Sequence, residues 1–134
     1  MTARVSGTFD VKLNPLPTHD SAEGANLGRM SINKRFHGPL DAISRGEMLS
    51  ATTSVKGSAG YVAIERVTGT LQGRRGSFVL QHSGTMHRGA PHLAVVVVPD
   101  SGTEQLAGLA GTMSITIVNG DHSYDFDYQL PDPR

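Results

Sequence analysis

The sequence predicts an all-β fold, an eight-stranded antiparallel barrel with one short helix. Apolar and polar residues alternate with a period of two along most of the 134 residues, which is the pattern of strands with one buried face. Short links join about eight such segments, and one open sheet of that size has to hide an apolar face and protect two edges. Closure into a barrel does both, and the length suits a single domain over residues 1–134. A two-sheet sandwich is the alternative architecture.

Three strands are predicted in the first part of the chain, at residues 3–13, 27–37 and 40–55. A loop at 14–26, which is rich in proline and polar residues, separates the first two strands. A Gly-Pro pair then ends the second strand before the third begins. Gly46 lies inside the third strand, where an isolated glycine indicates a bulge.

The fourth and fifth strands, at 60–72 and 77–85, form a predicted hairpin around a loop of glycine and arginine. With a four-residue loop, Val67 lies opposite His82, and a two-residue loop gives the same side-chain parity. The apolar residues of both strands then share one face with Glu65 and His82. The residues of this inner face are Tyr61, Ala63, Glu65, Val67, Leu71, Phe78, Leu80 and His82.

The remaining segments are a valine-rich strand, a short helix and a final hairpin. The strand at 93–98 is apolar throughout, which indicates cover on both faces. A helix is predicted at 102–110 because Ser101 and Glu104 fit a capping box. In the hairpin of strands 112–118 and 121–130, an Asn-Gly pair predicts a type I′ turn. That turn sets Ile117 opposite His122, Ile115 opposite Tyr124, and Met113 opposite Phe126.

Composition excludes several classes of protein. Lys plus Arg and Asp plus Glu number 12 each, so the net charge is zero, whereas a dedicated nucleic-acid binder is basic. The absence of cysteine excludes disulfides and thiolate chemistry. No apolar run approaches the roughly 20 residues of a membrane span, and the first residues lack an apolar signal segment. We therefore expect a cytoplasmic protein without nucleic-acid or membrane partners.

The candidate site is a set of polar groups on the predicted inner faces. Glu65 and His82 are diagonal neighbours in the predicted register, and a buried carboxyl beside an imidazole is suited to proton transfer. The residues expected to bind a ligand are Tyr61, His122, Tyr124, Tyr128, Phe78 and Phe126. No glycine-rich phosphate loop, nucleophile elbow or zinc motif occurs, so no cofactor or metal is predicted. In the alternative interpretation, these polar groups only satisfy one another inside a filled barrel.

Several stretches carry a resemblance to a known family. They are SGTFDVKL, FHGPLDAIS, ERVTGTLQGRRGSFVLQHSGT, VVVVPDSGTEQLAGLAGT and HSYDFDYQL. Together they resemble a small bacterial family, domain-of-unknown-function family 3224, over nearly the whole chain. That family is similar in fold to the allene oxide cyclase barrel, whose relatives enclose reactive apolar substrates. The resemblance implies the barrel, and it implies isomerase or cyclase activity only by analogy.

The function expected from these observations is binding of a small, largely apolar molecule inside the barrel. Any reaction catalysed there would be isomerase- or cyclase-like. Glu65 and His82 would handle the proton. The alternative is a non-catalytic structural or interaction protein with a filled barrel. A connected cavity of a few hundred Å³ favours the first class, because ligand sites have that size. A homo-oligomer is expected, with the valine-rich strand at or near the interface.

Overall fold

Eight antiparallel strands close into a barrel in which each strand pairs with its neighbours along the chain and the last pairs with the first. The structure is a computed structural model and describes residues 2–131. The strands are β1 (Thr2–Pro15), β2 (Leu27–His37), β3 (Leu40–Thr52), β4 (Ala59–Leu71), β5 (Arg74–His87), β6 (Ala90–Val97), β7 (Ala110–Val118) and β8 (Asp121–Gln129). The predicted fold class is confirmed.

The β7–β8 hairpin has the predicted turn and register. Asn119 and Gly120 both have positive φ, 52° and 83°, as a type I′ turn requires. Ile115 pairs with Tyr124 and Met113 pairs with Phe126. The Asn-Gly pair therefore determined this register locally.

The β4–β5 hairpin turns earlier than the sequence predicts. Its turn is the two-residue Gln72-Gly73 pair, with φ values of 48° and 81°, and the following arginines belong to β5. Val67 consequently pairs with Phe78 and not with His82, so the predicted four-residue loop and its pairing are wrong. The error is a displacement of four residues. Because that number is even, every side chain keeps its predicted face.

The predicted helix is reduced to one 3-10 turn, Glu104–Leu106. Ser101, which was expected to cap it, and nearby Thr103 bind β5 instead. Ser101 Oγ accepts a hydrogen bond from the Val79 N–H at 3.0 Å, and Thr103 Oγ1 accepts one from the Ser77 N–H at 3.0 Å. Two glycines in the predicted segment also disfavour a helix. Contacts of this segment with the barrel therefore outweigh its weak local preference for a helix.

The hydrophobic core fills one end of the barrel. Leu106 and Leu109, which follow β6, are buried there beneath the ends of β2, β4 and β8. The core also contains Phe36, Leu40, Val67, Leu71, Phe78, Leu80 and Phe126. The opposite end, where β1, β3, β5 and β7 finish, is not filled in this way and holds the candidate site.

The valine-rich strand β6 is buried on one face within the chain. Val95 and Val97 point into the core, whereas Val96, on the opposite face, is exposed. The cover expected on its second face is therefore not supplied by residues 2–131 of the same chain.

Candidate functional site

A cavity of about 570 Å³ occupies the open end of the barrel. All eight strands contribute to its wall, because the cavity lies where alternate strands begin and end. Most of the lining is apolar, and exposed Leu13, Met86, Leu93 and Ile117 mark the mouth. The inner lining includes Phe9, Val11, Ile32, Lys34, Met48, Tyr61, Ala63, His82, Ile115 and His122. This size lies within the range of small-molecule sites.

A cluster of charged and polar side chains forms the floor of this cavity. The Lys34 ammonium donates a hydrogen bond to Glu65 Oε2 at 2.8 Å. His82 Nε2 lies 2.6 Å from the same carboxylate oxygen. All three side chains are almost wholly buried, and the carboxylate lies beneath the other two, which line the cavity. The predicted Glu65–His82 contact is therefore present, and Lys34 binds the same carboxylate oxygen.

The strand register explains how these side chains converge. Lys34 on β2 pairs with Ser44 on β3, and Glu65 on β4 pairs with Gly46 on β3. The pairing around Gly46 is regular, so the bulge expected there is absent. A Cβ atom at this glycine would lie 2.8 Å from Glu65 Cβ and 2.0 Å from a backbone oxygen of β4. The glycine therefore leaves the inner face of β3 free for Lys34 to reach across to Glu65.

The electrostatics of the floor keep Glu65 ionised. Burial raises the pKa of its carboxyl, but the hydrogen bond from His82 and the charge and hydrogen bond of Lys34 outweigh burial and lower it to about 2. Glu65 Oε1 and Ser44 Oγ are buried and have no hydrogen-bond partner among residues 2–131. The Lys34 ammonium also lies 4.9 Å from the ring centre of Phe9.

Tyr61 extends the cluster towards the cavity. Its hydroxyl lies 3.4 Å from His82 Nδ1. Burial and the negative charge of Glu65 raise the pKa of Tyr61, so its phenol is neutral at pH 7. Because an ionised carboxylate accepts hydrogen bonds only, the proton of this contact is on His82 Nε2, and Nδ1 faces the phenol. A phenol, an imidazole and a carboxylate thus lie in series.

The other predicted site residues separate into two groups. His122 lines the cavity, and its ring centre lies 5.2 Å from that of Phe9. Tyr124, Tyr128, Phe78 and Phe126 are all buried in the core at the closed end and are not among the described residues that line the cavity.

The two buried tyrosines hold the fold together through their hydroxyls. Tyr124 donates to the His37 carbonyl at 2.9 Å and accepts from the Leu40 N–H at 3.2 Å. Tyr128 donates to the side-chain oxygen of Gln72. Burial raises the pKa of both phenols. Both hydroxyls thus form hydrogen bonds with turns at the closed end of the barrel.

Lys34 is the site residue that sequence reasoning missed. Period-two alternation places Lys34 on the face of Ile32 and Phe36, both buried. That parity was a sufficient signal, because a charged residue among buried neighbours needs a partner.

Two further observations concern the residues that the structure describes. No three histidine, aspartate or glutamate side chains within residues 2–131 come together in a group that could hold a metal ion. In the same residues, no helix is long and apolar enough to cross a membrane.

Comparisons with known proteins assign the chain to a family. The model of the DUF3224 family, described as a protein of unknown function, matches residues 5–128. The chain belongs to the DUF3224 family. A crystal structure of a DUF3224 protein of unknown function from Shewanella oneidensis MR-1 has 54% sequence identity and a TM-score of 0.93, and the match covers 99% of this chain and 100% of that one. Among curated proteins, none matches. The family and barrel expected for this DUF3224 protein are confirmed.

Proposed function

We propose that this DUF3224 barrel binds a small, largely apolar molecule in the cavity at its open end. The observation that carries the proposal is a cavity of about 570 Å³ with apolar walls and a charged floor. Apolar walls supply most of the binding free energy, and a few fixed polar groups select orientation. His82, supported by Glu65, handles a proton at the floor, while Tyr61 and His122 orient the ligand from the wall.

The polar floor supports ligand binding over a purely structural role. Taking the ions Glu65 and Lys34 out of water costs several kcal/mol each, and apolar side chains of similar volume often serve stability as well or better. The closed end of the same barrel is filled in that simpler way, with leucine, valine and phenylalanine. A charged cluster placed against an unfilled volume is instead the composition of a binding site.

The finer form of the proposal is isomerase- or cyclase-like chemistry on the enclosed molecule. An imidazole with a free Nδ1, backed by an ionised carboxylate, can accept a proton and return it. Such chemistry conserves the atoms of the substrate, so it calls for no cofactor. Tyr124, Tyr128, Phe78 and Phe126 take no part, since they belong to the core of the closed end.

A filled barrel that acts as a non-catalytic structural or interaction protein is the second candidate. The packed core at the closed end is what a filled barrel predicts, whereas the cavity at the open end favours ligand binding. The cytoplasmic location expected from the sequence stays a prediction.

A homo-oligomer belongs to the proposal as well. Leu49 and Val62 pair directly on the outer face of β3 and β4 and are 55% and 52% exposed, and Ile64 beside them is 51% exposed. Gln81 on β5 links Ile64 to exposed Val96 on β6. Burying this apolar strip between two barrels would remove it from water. We expect light scattering at micromolar concentration to give at least a dimer, and a monomer would contradict the proposed association.

Native mass spectrometry of protein purified from its native host tests the binding proposal. We expect a retained small molecule that Ala63→Phe abolishes, because Ala63 is buried in the cavity wall and the larger ring fills the ligand volume. The matched control is Ala22→Phe in the exposed loop, which should retain the ligand. Wild-type protein that carries no ligand and binds no xenon in its cavity would contradict the proposal, because apolar cavities take up xenon.

A further inference from the structure

The Lys34 ammonium has hydrogen-bonding capacity to offer a ligand. An ammonium has three N–H donors, and Lys34 donates one of them to Glu65 Oε2. It also lies over the faces of Phe9 and Phe36, whose ring centres are 4.9 and 5.7 Å away. Lys34 lines the cavity, so a ligand oxygen at the floor can accept from this ammonium.

His82 presents a base next to that donor. Its Nε2 and the Lys34 ammonium contact the same oxygen of Glu65, so the two side chains are adjacent. In the neutral form of the ring, Nδ1 is the base, and the Tyr61 hydroxyl lies 3.4 Å from it. That distance is long for an O–H hydrogen bond, so a ligand can displace the phenol at little cost. A proton gained at Nδ1 makes an imidazolium that Glu65 stabilises through Nε2, as carboxylates do in hydrolase triads.

The charges of the floor select the head group of the ligand. The positive charge of the Lys34 ammonium and the negative charge of the Glu65 carboxylate cancel. A ligand carboxylate would bring a second anion into a buried site whose cation is already paired, which costs desolvation. A neutral carbonyl oxygen avoids that cost and accepts from the free N–H of Lys34. The floor therefore fits an apolar ketone whose carbonyl enters first.

We propose that the ligand is an apolar ketone and that the site enolises it, an inference that rests on the proposed function. Lys34 donates a hydrogen bond to the carbonyl oxygen. His82 Nδ1 removes a proton from the adjacent carbon, so a C–H bond breaks and an N–H bond forms. The electron pair makes the C=C bond of an enolate, whose negative oxygen Lys34 holds. Return of the proton to the same carbon regenerates the ketone, and its return to a conjugated carbon gives an isomer. Lys34 and His82 are the catalytic residues, and Glu65 is a positioning residue.

Proton exchange of 2-undecanone in D₂O tests this inference. Loss of the α-proton signals is followed by ¹H NMR, while binding is followed separately through the amide signals of cavity residues Ala63 and Ile115. We expect at least tenfold faster exchange than in buffer alone. His82→Gln should remove the acceleration, because glutamine can still donate to Glu65 but offers no base. His87→Gln, an exposed histidine on the same strand outside the cavity lining, should leave it unchanged.

The outcomes separate the two proposals. A ketone that binds without faster exchange, or exchange that His82→Gln leaves unchanged, overturns the enolisation and leaves ligand binding in place. If neither the ketone nor xenon perturbs the cavity amides, the proposed function fails and the enolisation with it. Because Lys34→Met strands a buried carboxylate, its effect on exchange is measured in the Lys34→Met/Glu65→Gln double variant. That variant should also lose the acceleration, and full activity there would contradict the role of Lys34.

Discussion

Neutralising Glu65 should destabilise the barrel through the lysine that it leaves behind. Glu65→Gln keeps the shape of the side chain and its hydrogen-bonding oxygen, but Lys34, whose side chain is 6% exposed, is left as an unpaired buried charge. Removing one partner of a buried ion pair costs about 3–5 kcal/mol.

The pKa of Glu65 gives a similar magnitude. It falls from 4.5 to about 2 in the folded protein, and each unit corresponds to about 1.36 kcal/mol, so the ionised carboxylate contributes about 3 kcal/mol. For a chain of this length, that loss lowers the melting temperature by roughly 10 °C.

Urea unfolding followed by circular dichroism measures this loss. The control is Glu47→Gln, which removes the exposed partner of Arg29 and should cost less than about 1 kcal/mol. Lys34→Met combined with Glu65→Gln should recover most of the stability, because no charge is then stranded. A single Glu65→Gln variant within about 1 kcal/mol of wild type would refute the reasoning, since the carboxylate and ammonium could not then be a coupled buried pair.

Three further predictions concern pH, register and the closed end. The folded-state pKa of Glu65 lies below its unfolded value, so its contribution is present above pH 4.5 and is lost as the pH falls towards 2; the stability difference between wild type and Glu65→Gln should shrink over that window in acid titrations. Val67→Lys should unfold the domain and Thr68→Lys should be tolerated, because only Val67 faces inwards, and equal melting temperatures would contradict the β4 register. Tyr124→Phe should cost about 1–3 kcal/mol in urea unfolding by leaving the Leu40 N–H without its acceptor, and an unchanged midpoint would show that this hydroxyl is dispensable.

The comparison of the two hairpins shows where local chemistry suffices. Asn119-Gly120 permits one tight turn, and the β7–β8 register follows from it. Between β4 and β5 the sequence has two glycines around two arginines, so the two-residue turn and the four-residue loop both remain compatible with the pattern. The structure has the earlier turn, at Gln72-Gly73. Each side chain of the hairpin kept its predicted face because the predicted and observed registers differ by an even number of residues.

The lysine at the floor shows a different limit. Glu65 and His82 are close in sequence on one hairpin, so their proximity was predictable from pairing alone. Lys34 meets Glu65 across an intervening strand, and a gap left by Gly46 makes that contact possible. Its inward direction was visible in the alternation, but its partner was not.

The sequence by itself determined the all-β strand pattern, the face on which most inner residues lie and the presence of acid and imidazole among apolar neighbours. These features follow from period-two alternation and turn chemistry, which are local. Only the tertiary structure decided the level at which each residue lies along the barrel. His122 and Tyr124 share one strand and one face, yet His122 lines the cavity and Tyr124 lies in the core of the closed end. The physical reason is that closure staggers the strands against one another, and this stagger depends on all eight pairings together.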